Sequence, residues 1–204
     1  MKNLDSIEPE LKELVQRVMI HYENPTEYLE KNLKWLSELY PKFKEYYQEK
    51  LNELLKDKEI KQVIAVANSG LWLGAIAKSL NYDVRILDVH RPLHFQKYKR
   101  RGVIHWYFIL PEIISEGYKI YDLSDVSKVI RSEEDIKVGI KMGVMDFDRV
   151  EQGQRTVIVD GDVEQGFSIA VAHRRALDLG AEVIDKIVIS NHTKLPGVIA
   201  LDEL

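Results

Sequence analysis

The sequence predicts an α/β protein with a doubly wound, mostly parallel β-sheet that is preceded by an N-terminal helical segment. Apolar residues recur at helical spacing up to about residue 58. After residue 61, short and uniformly apolar runs alternate with helical stretches, and two of these runs lead into glycine-containing loops. We therefore expect a helical segment at residues 1–58 and an α/β domain at residues 59–204.

Amphipathic helices are predicted for the N-terminal segment, beginning with residues 4–18. Asn24 can cap a helix that starts at Pro25 and carries Glu27 three residues past the cap, and Pro41 indicates a further start. The aromatic residues of this segment are interpreted as packing residues rather than as a ligand cage. They are Trp35, Tyr40, Tyr46 and Tyr47. The segment is expected to form a hood over a binding site or a dimer surface.

The remaining chain reads as strands joined by crossover helices. The predicted strands cover residues 62–67, 84–89, 103–110, 156–160 and 183–189, and the predicted crossover helices cover residues 71–80 and 168–179. Open parallel sheets bind ligands at the carboxyl ends of their strands. The loops after Ala67, Val89 and Asp160 are therefore the candidate sites.

Composition limits the classes of partner. A net charge of −4 argues against nucleic acid or an anionic membrane as a partner. The chain has no cysteine, which excludes disulfides, thiolate metal sites and cysteine nucleophiles. No apolar run approaches the roughly 18 residues of a membrane span. We expect a cytoplasmic homodimer, and the abundance of Lys, Glu and Ile is typical of a thermophile.

The segment from Asp160 to Ser168 joins a predicted strand to a predicted helix. The first amide groups of a helix have no partner within it, so with the helix dipole and the Ser168 hydroxyl they form an anion site suited to phosphate. Gly166 would let the backbone approach such a ligand. The carboxylates of Asp160, Asp162 and Glu164 would repel a bare phosphate, so they need another task, such as binding sugar hydroxyls or Mg²⁺. Together these groups describe a sugar-phosphate site.

Two stretches resemble the type I phosphoribosyltransferases. "VIVDGDVEQGFS" (residues 157–168) is similar to the family's signature for phosphoribosyl diphosphate (PRPP), and "VIAVANSGLWLGAIAKSL" (residues 63–80) is similar to its pyrophosphate-binding strand, loop and helix. The closing "LPGVIALDEL" resembles the tail of the orotate-type members. The resemblance covers about residues 60–204 and implies a sheet of the phosphoribosyltransferase type.

This resemblance implies a Mg²⁺-dependent enzyme that transfers ribose 5-phosphate from PRPP to a nitrogenous base and releases pyrophosphate. By position, Glu164 would accept a proton near the reacting carbon, Asp160 and Asp162 would contact the ribose and Mg²⁺, and Ser69 and Gly70 would face the pyrophosphate. The 5′-phosphate would be held by Gln165, Gly166, Phe167 and Ser168. The implied partners are small molecules, namely PRPP and a nucleobase or nucleotide.

The signature departs from the family pattern at two positions. Gly161 stands where the family has a second acid, with Asp162 one residue further along, and Gln165 stands where the family usually has Thr. Asp162 can replace the missing acid if the chain bulges at Gly161, whereas regular strand alternation would turn it aside.

Basic residues are also predicted to contact the pyrophosphate. The candidates are Arg91 for binding and Lys99 and Arg100, in the cluster at residues 96–101, for catalysis. The same cluster is equally typical of a solvated surface or of a nucleic-acid contact. Relative to the family, the chain has a long insertion between this cluster and Asp146.

Other interpretations of these patterns stay open. An acid at the end of a parallel strand before a glycine loop also occurs in response-regulator and Rossmann-like sheets, and Ser69-Gly70 can be a simple turn. Residues 145–149 are interpreted as a capped turn rather than a metal site, and the six histidines show no zinc spacing. An enzyme is favoured over a non-catalytic PRPP- or nucleotide-binding regulatory protein because Glu164 and the phosphate segment are kept.

Overall fold

The computed structural model describes residues 25–67, 69–90, 98–100, 103–105, 119–122, 141–146 and 150–204. The helices in these ranges are α1 (Pro25–Leu39), α2 (Pro41–Leu55), α3 (Leu71–Ser79) and α4 (Phe167–Asp178). The strands are β1 (Gln62–Ala67), β2 (Asp83–His90), β3 (Tyr98–Arg100), β4 (Val103–His105), β5 (Lys119–Asp122), β6 (Lys141–Asp146), β7 (Arg155–Val163), β8 (Glu182–Asn191) and β9 (Ile199–Ala200). The helix predicted over residues 4–18 lies outside the described residues.

A seven-stranded sheet forms the centre of the molecule, in the order β5-β6-β2-β1-β7-β8-β9. The five strands from β2 to β9 in this order run parallel to their neighbours, whereas β6 is antiparallel to both β2 and β5. The central strand β1 is buried at every position, as the uniformly apolar run predicts. The prediction of a mostly parallel sheet is confirmed.

Helices cover both faces of this sheet. On one face, α1, α2 and α3 pack on a cluster that includes Leu36, Leu51 and Leu73 together with residues of β1 and β7. On the other face, α4 packs on a second cluster that includes Ile158 and Ile169. The first two helices therefore share a hydrophobic core with the sheet. Each begins at a proline, Pro25 or Pro41, as predicted.

Of the strand predicted at residues 103–110, the structure describes Val103–His105, which form a strand outside the parallel sheet, so the expected place of these residues in that sheet was wrong. Val103–His105 pairs with Tyr98–Arg100 in a separate two-stranded sheet, and residues 106–110 lie outside the described part of the chain. The place beside β2 is taken by Lys141–Asp146. Met145 and Asp146 are strand residues, so the predicted capped turn is also wrong for these two positions, and residues 147–149 are not described.

Hydrogen bonds join the C-terminal residues 201–202 to α2. The Tyr47 hydroxyl donates a hydrogen bond to Asp202, the Ser190 hydroxyl donates to the other oxygen of Asp202 at 2.6 Å, and Lys50 Nζ donates to Leu201 O at 2.9 Å. These contacts hold the short 3₁₀ turn Leu201–Glu203 against the helical layer. Among the described helices, none has the length and apolar character needed to cross a bilayer.

Candidate functional site

The two loops singled out in the sequence lie side by side at the carboxyl edge of the sheet. Strands β1 and β7 are parallel neighbours, in register from Gln62 opposite Thr156 to Ala65 opposite Val159. The turn after β1 therefore lies next to the end of β7. A hydrogen bond of 2.5 Å from Ser69 Oγ to Asp160 Oδ1 links them directly.

Gly70 allows the turn after β1 to pack against the backbone of β7. A Cβ atom at this position would lie 2.5 Å from Val159 O and 2.6 Å from Val66 O, closer than real Cβ contacts. The Gly70 amide donates to Val66 O at 2.8 Å, and its carbonyl accepts from Gly74 at 2.9 Å, which starts α3. Gly70 is buried and packs against the backbone of β7, whereas Ser69 is exposed.

β7 continues three residues beyond Asp160, further than the strand predicted over residues 156–160. Its pairing with β8 runs from Val157 opposite Asp185 to Val163 opposite Asn191 with a constant offset. The only register shift in this pair lies between Thr156 and Val157, so the bulge considered at Gly161 does not form. Asp162 is nevertheless exposed.

Asp160 is a buried carboxylate with hydrogen bonds from its own chain. Its side chain is 3 % exposed, and Oδ1 accepts from the Ser69 hydroxyl and from the Gly161 amide at 2.7 Å. Burial raises the pKa of Asp160 to about 6, since desolvation penalises the charged form more than these hydrogen bonds favour it. The nearby charge of Asp162 raises the pKa further.

The opening of α4 presents unpaired backbone amides, as predicted. The first amide bonded within the helix is that of Ala170, which donates to Gly166 O at 3.0 Å. Gly166 caps the helix in the left-handed conformation with φ 81°, and no side chain bonds the helix start there. A Cβ atom on Gly166 would lie 2.6 Å from Leu195 Cδ2. Glycine is therefore required both by the backbone conformation and by the neighbouring loop.

A polar cleft of about 260 Å³ opens over this helix start. We call it the polar cleft. Its lining comprises Asp160, Asp162, Val163, Glu164, Gln165, Gly166, Phe167, Ser168 and Ile169. Seven of the predicted site residues thus line one cleft, and all but Val163 and Ile169 were named from the sequence. The Phe167 side chain lies in the hydrophobic core, so its contribution to a ligand would come from its backbone amide.

A second cleft of about 400 Å³ lies beside the first and is mainly aromatic. This aromatic cleft is lined by Trp35, Tyr40, Phe43, Ser69, Trp72, Gly161, Asp162 and Ile189. Asp162 borders both clefts. The ring of Trp72 contacts the ring of Trp35 edge-on, with centroids 4.6 Å apart, and lies 6.0 Å from that of Phe43.

The aromatic lining was missed in the sequence. Packing was predicted for the N-terminal aromatics, and it holds for Tyr47, which is 7 % exposed. Trp35 and Tyr40 instead line an open cleft and are 37 % and 48 % exposed. No spacing rule connects these residues of α1 and α2 with Trp72 on α3, because only the tertiary packing of the helices brings them together.

The predicted basic residues are not brought to the clefts by the described part of the chain. Arg91 lies outside the described residues. Lys99 and Arg100 belong to β3, which pairs with β4 in a separate two-stranded sheet, and their side chains are outside the described part. Their predicted role at pyrophosphate stays a prediction.

The residues around the polar cleft fit a magnesium ion that arrives with a phosphate-bearing substrate. Across the described ranges, no group of three or more His, Cys, Asp or Glu side chains is arranged to hold a metal by itself. Mg²⁺ is commonly bound by one or two carboxylates together with substrate phosphates. Asp162 and Glu164 are exposed carboxylates of this kind on the cleft wall.

No protein-family model matches the chain, and no curated protein matches it in sequence. Solved structures do match. The adenine phosphoribosyltransferase of Thermoanaerobacter pseudethanolicus is 21 % identical and has a TM-score of 0.54, over 79 % of this chain and 81 % of that one. The Saccharomyces cerevisiae enzyme, complexed with an imino-altritol bisphosphate and adenine, is 15 % identical with a TM-score of 0.51, over 80 % and 79 %.

A third match is the adenine phosphoribosyltransferase of Giardia lamblia complexed with 9-deazaadenine, 14 % identical with a TM-score of 0.50 and 82 % of each chain covered. These matches cover about four fifths of the chain, although the identities are too low to carry an activity across. This chain has the fold of the type I phosphoribosyltransferases.

Proposed function

We propose that this protein transfers ribose 5-phosphate from PRPP to a nitrogenous base and releases pyrophosphate. One observation carries the proposal: the polar cleft over the start of α4 meets the aromatic cleft at Asp162. A phosphate site, a carboxylate and an aromatic pocket thus follow one another in the order of phosphate, sugar and base in a nucleotide.

The phosphate end of the substrate would lie against the start of α4. The amides that precede Ala170 have no partner within the helix, and the helix dipole favours an anion there. The Ser168 side chain borders the same cleft and can donate a further hydrogen bond. The exposed carboxylates of Asp162 and Glu164 stand beside this phosphate site, where sugar hydroxyls can donate to them.

The acceptor base would lie in the aromatic cleft. Planar heterocycles stack on aromatic side chains, and Trp35, Phe43 and Trp72 provide such surfaces. Ser69, Asp162 and the Tyr40 hydroxyl are among the polar groups of the described lining and can form hydrogen bonds to the edge of the ring. The cleft volume of about 400 Å³ suits a small aromatic ligand.

The reaction breaks the bond between the anomeric carbon and a pyrophosphate oxygen, and a ring nitrogen of the base forms the new bond to that carbon. The nitrogen loses its proton, for which Glu164 is the proposed acceptor. Positive charge builds on the sugar carbon and negative charge on the leaving group, so the protein acts mainly by positioning groups and stabilising charge. Bound Mg²⁺ would neutralise charge on the departing pyrophosphate, with Asp162 as a protein ligand.

A non-catalytic PRPP- or nucleotide-binding regulatory protein is the second candidate. Two observations favour it: Gly161 stands in place of an acid, and one oxygen of Asp160 is occupied by hydrogen bonds from Ser69 and Gly161. Both reduce the number of carboxylate oxygens available to the sugar: the second acid is missing, and one oxygen of the first is already bonded. The phosphate site itself is unaffected, so binding would persist without turnover.

Pyrophosphate release separates the two candidates. The purified chain is incubated with PRPP, Mg²⁺ and single purine or pyrimidine bases, and pyrophosphate is measured. Release that depends on one base supports the transferase, whereas PRPP binding without release for any base assigns the regulatory role. Absence of both would contradict the proposal.

The base site is tested with Trp72→Leu. Loss of the stacking surface is expected to raise the KM for the base about tenfold, corresponding to roughly 1.4 kcal/mol, and to leave PRPP affinity unchanged. Tyr46→Leu is the control, because Tyr46 is 47 % exposed and lies outside the cleft lining. An equal effect of both variants would contradict the assignment of the aromatic cleft.

A further inference from the structure

The carboxylate of Asp160 is engaged by the turn after β1 and by the next backbone amide. Both the Ser69 hydroxyl, at 2.5 Å, and the Gly161 amide, at 2.7 Å, donate to the same oxygen, Oδ1. Oδ1 therefore already accepts two hydrogen bonds from the protein, and Asp160 as a whole is only 3 % exposed. The hydrogen bond from Ser69 joins two segments that are 91 residues apart in the chain.

Ser69 also occupies the space beside Gly161. A Cβ atom on Gly161 would lie 2.6 Å from Ser69 Cβ and 3.2 Å from Ser69 Oγ. Any side chain at position 161 would therefore push against Ser69, whose hydroxyl is bonded to Asp160. The glycine at this position and the serine after β1 are packed as a pair.

Asp162 differs from Asp160 in its exposure and in its surroundings. It is exposed, and it borders the polar cleft and the aromatic cleft at once. β7 reaches it without a register shift after Asp160, so its position is set by the strand rather than by a mobile loop. Its carboxylate lies where the two proposed halves of a nucleotide would meet.

We infer that Asp162 is the carboxylate that meets the sugar hydroxyls or Mg²⁺, and that Asp160 is a positioning residue that fixes Ser69 and the turn after β1. This inference rests on the proposed function and revises the role that the resemblance gives to Asp160. In this chain Ser69, which is hydrogen-bonded to Asp160, fills the space that the side chain of a second acid at position 161 would need. The hydrogen bond thereby fixes the position of the turn that would face pyrophosphate relative to the strand that carries Asp162.

The test compares amide and alanine variants by titration calorimetry with PRPP and Mg²⁺. Asp160→Asn keeps an oxygen for the Ser69 hydroxyl and the Gly161 amide, so its affinity is expected to stay within about threefold of the unmodified chain. Asp160→Ala and Ser69→Ala both remove the link and are expected to weaken binding about tenfold, and the double variant no further. Asp162→Asn is expected to weaken binding at least about tenfold. Ser79→Ala, at the other end of α3, is the control for Ser69.

The outcomes separate the inference from the proposed function. If the unmodified chain binds PRPP and Asp160→Asn loses as much affinity as Asp162→Asn, Asp160 meets the ligand and the inference is overturned alone. Additive losses in Ser69→Ala and Asp160→Ala would overturn it too. If the unmodified chain binds no PRPP, the proposed function falls and the role assigned to Asp162 falls with it.

A measurement without ligand checks the packing on which the inference depends. Gly161→Ala is expected to lower Tm by about 5 °C, because the new methyl group contacts Ser69. On a Ser69→Gly background the same change is expected to cost less than half as much, since the contact partner is gone. Equal losses on both backgrounds would overturn the coupling between the two positions.

Discussion

Glu164 and Ser168 lie four residues apart in the polar cleft, and we assign them different tasks. Glu164→Ala is expected to lower kcat by about 10²- to 10⁴-fold with little change in PRPP affinity, since a proton acceptor acts in the transition state. Ser168→Ala is expected to weaken PRPP binding about tenfold, the effect of losing one hydrogen bond to a charged group. Steady-state kinetics and titration calorimetry measure the two quantities.

Matched variants at the opposite edge of the sheet provide controls for this pair. Glu182→Ala changes an exposed glutamate at the start of β8, and Ser79→Ala removes a hydroxyl bonded to Ile76 O at 2.7 Å. Neither should affect kcat or PRPP affinity. Equal effects of Glu164→Ala and Ser168→Ala on both quantities would contradict the division of tasks.

His173 is a partly buried base on α4 whose ring nitrogen Nδ1 is buried without a hydrogen-bond partner. Burial lowers the pKa of His173 to about 4, and the positive charge of Lys186 lowers it further. The folded state therefore holds the neutral ring while the unfolded chain binds a proton below pH 6.5. Stability from this group is complete above pH 6.5 and is lost as the pH falls towards 4.

We expect this loss to be about 1–2 kcal/mol after allowance for partial exposure. The variant His173→Gln should lack it, so chemical denaturation of both proteins at pH 7.5 and pH 4.5 measures it as a difference. The comparison with the variant is essential because Asp160 acts in the opposite direction: its raised pKa removes stability as the pH rises through about 6. His192→Gln, at an exposed histidine, is the control. A pH dependence unchanged by His173→Gln would refute the assignment.

At the scale of elements, the start of α4 depends on the backbone of Gly166. Gly166→Ala forces a side chain into the left-handed region and against Leu195, so the free energy of unfolding should fall by about 2–4 kcal/mol. The amides at the helix start should shift with it, and PRPP binding should weaken. Urea denaturation and calorimetry measure both effects.

Gly153→Ala is the matched control for Gly166. Gly153 has φ 72° and nothing within 4 Å of an added Cβ, so its substitution carries the backbone cost alone, about 1 kcal/mol, with no effect on binding. The difference between the two variants measures the contact with Leu195. Equal destabilisation would show that this contact adds nothing.

Elements with a strong periodic pattern were predicted well from the sequence. β1, α3 and α4 agree with the predictions within one or two residues, because their apolar runs and caps match the environment that tertiary packing gives them. β7 extends past Asp160 through Gly161 and Asp162, residue types that favour turns, because β8 continues beside it. Residues 103–105 open a largely apolar run yet pair outside the main sheet, so the apolar run alone did not specify the pairing partner.

At the scale of the whole molecule, the N-terminal helices and the sheet share one hydrophobic cluster. Leu36 on α1 is fully buried in it together with residues of β1 and β7. Leu36→Ala is therefore expected to lower the free energy of unfolding by about 2–5 kcal/mol in a single cooperative transition. Circular dichroism and tryptophan fluorescence during urea denaturation should give coincident curves.

The same helix offers the control for this prediction. Leu39 is 60 % exposed, so Leu39→Ala should change the free energy of unfolding by less than about 0.5 kcal/mol. Two separate transitions in Leu36→Ala would show that residues 25–55 unfold independently of the α/β domain.

The candidate site was predictable to different extents in its two halves. The polar cleft is formed by nearly contiguous residues, 160–169, so their roles could be proposed from local chemistry. The aromatic cleft is formed by three helices and two strands, and its lining depends on how α1 and α2 pack on α3. Sequence spacing carries no signal for such a surface.

Asp162 forms a wall that the two clefts share. A ligand in either one changes the electrostatic surroundings that the other ligand meets, because both face the same carboxylate. Thermodynamic linkage then requires reciprocity. If a ligand in the polar cleft changes the affinity of the aromatic cleft by some factor, a ligand in the aromatic cleft changes the affinity of the polar cleft by the same factor. Under the proposed function, we therefore expect binding of the phosphate ester and binding of the ring to be coupled through the single side chain of Asp162.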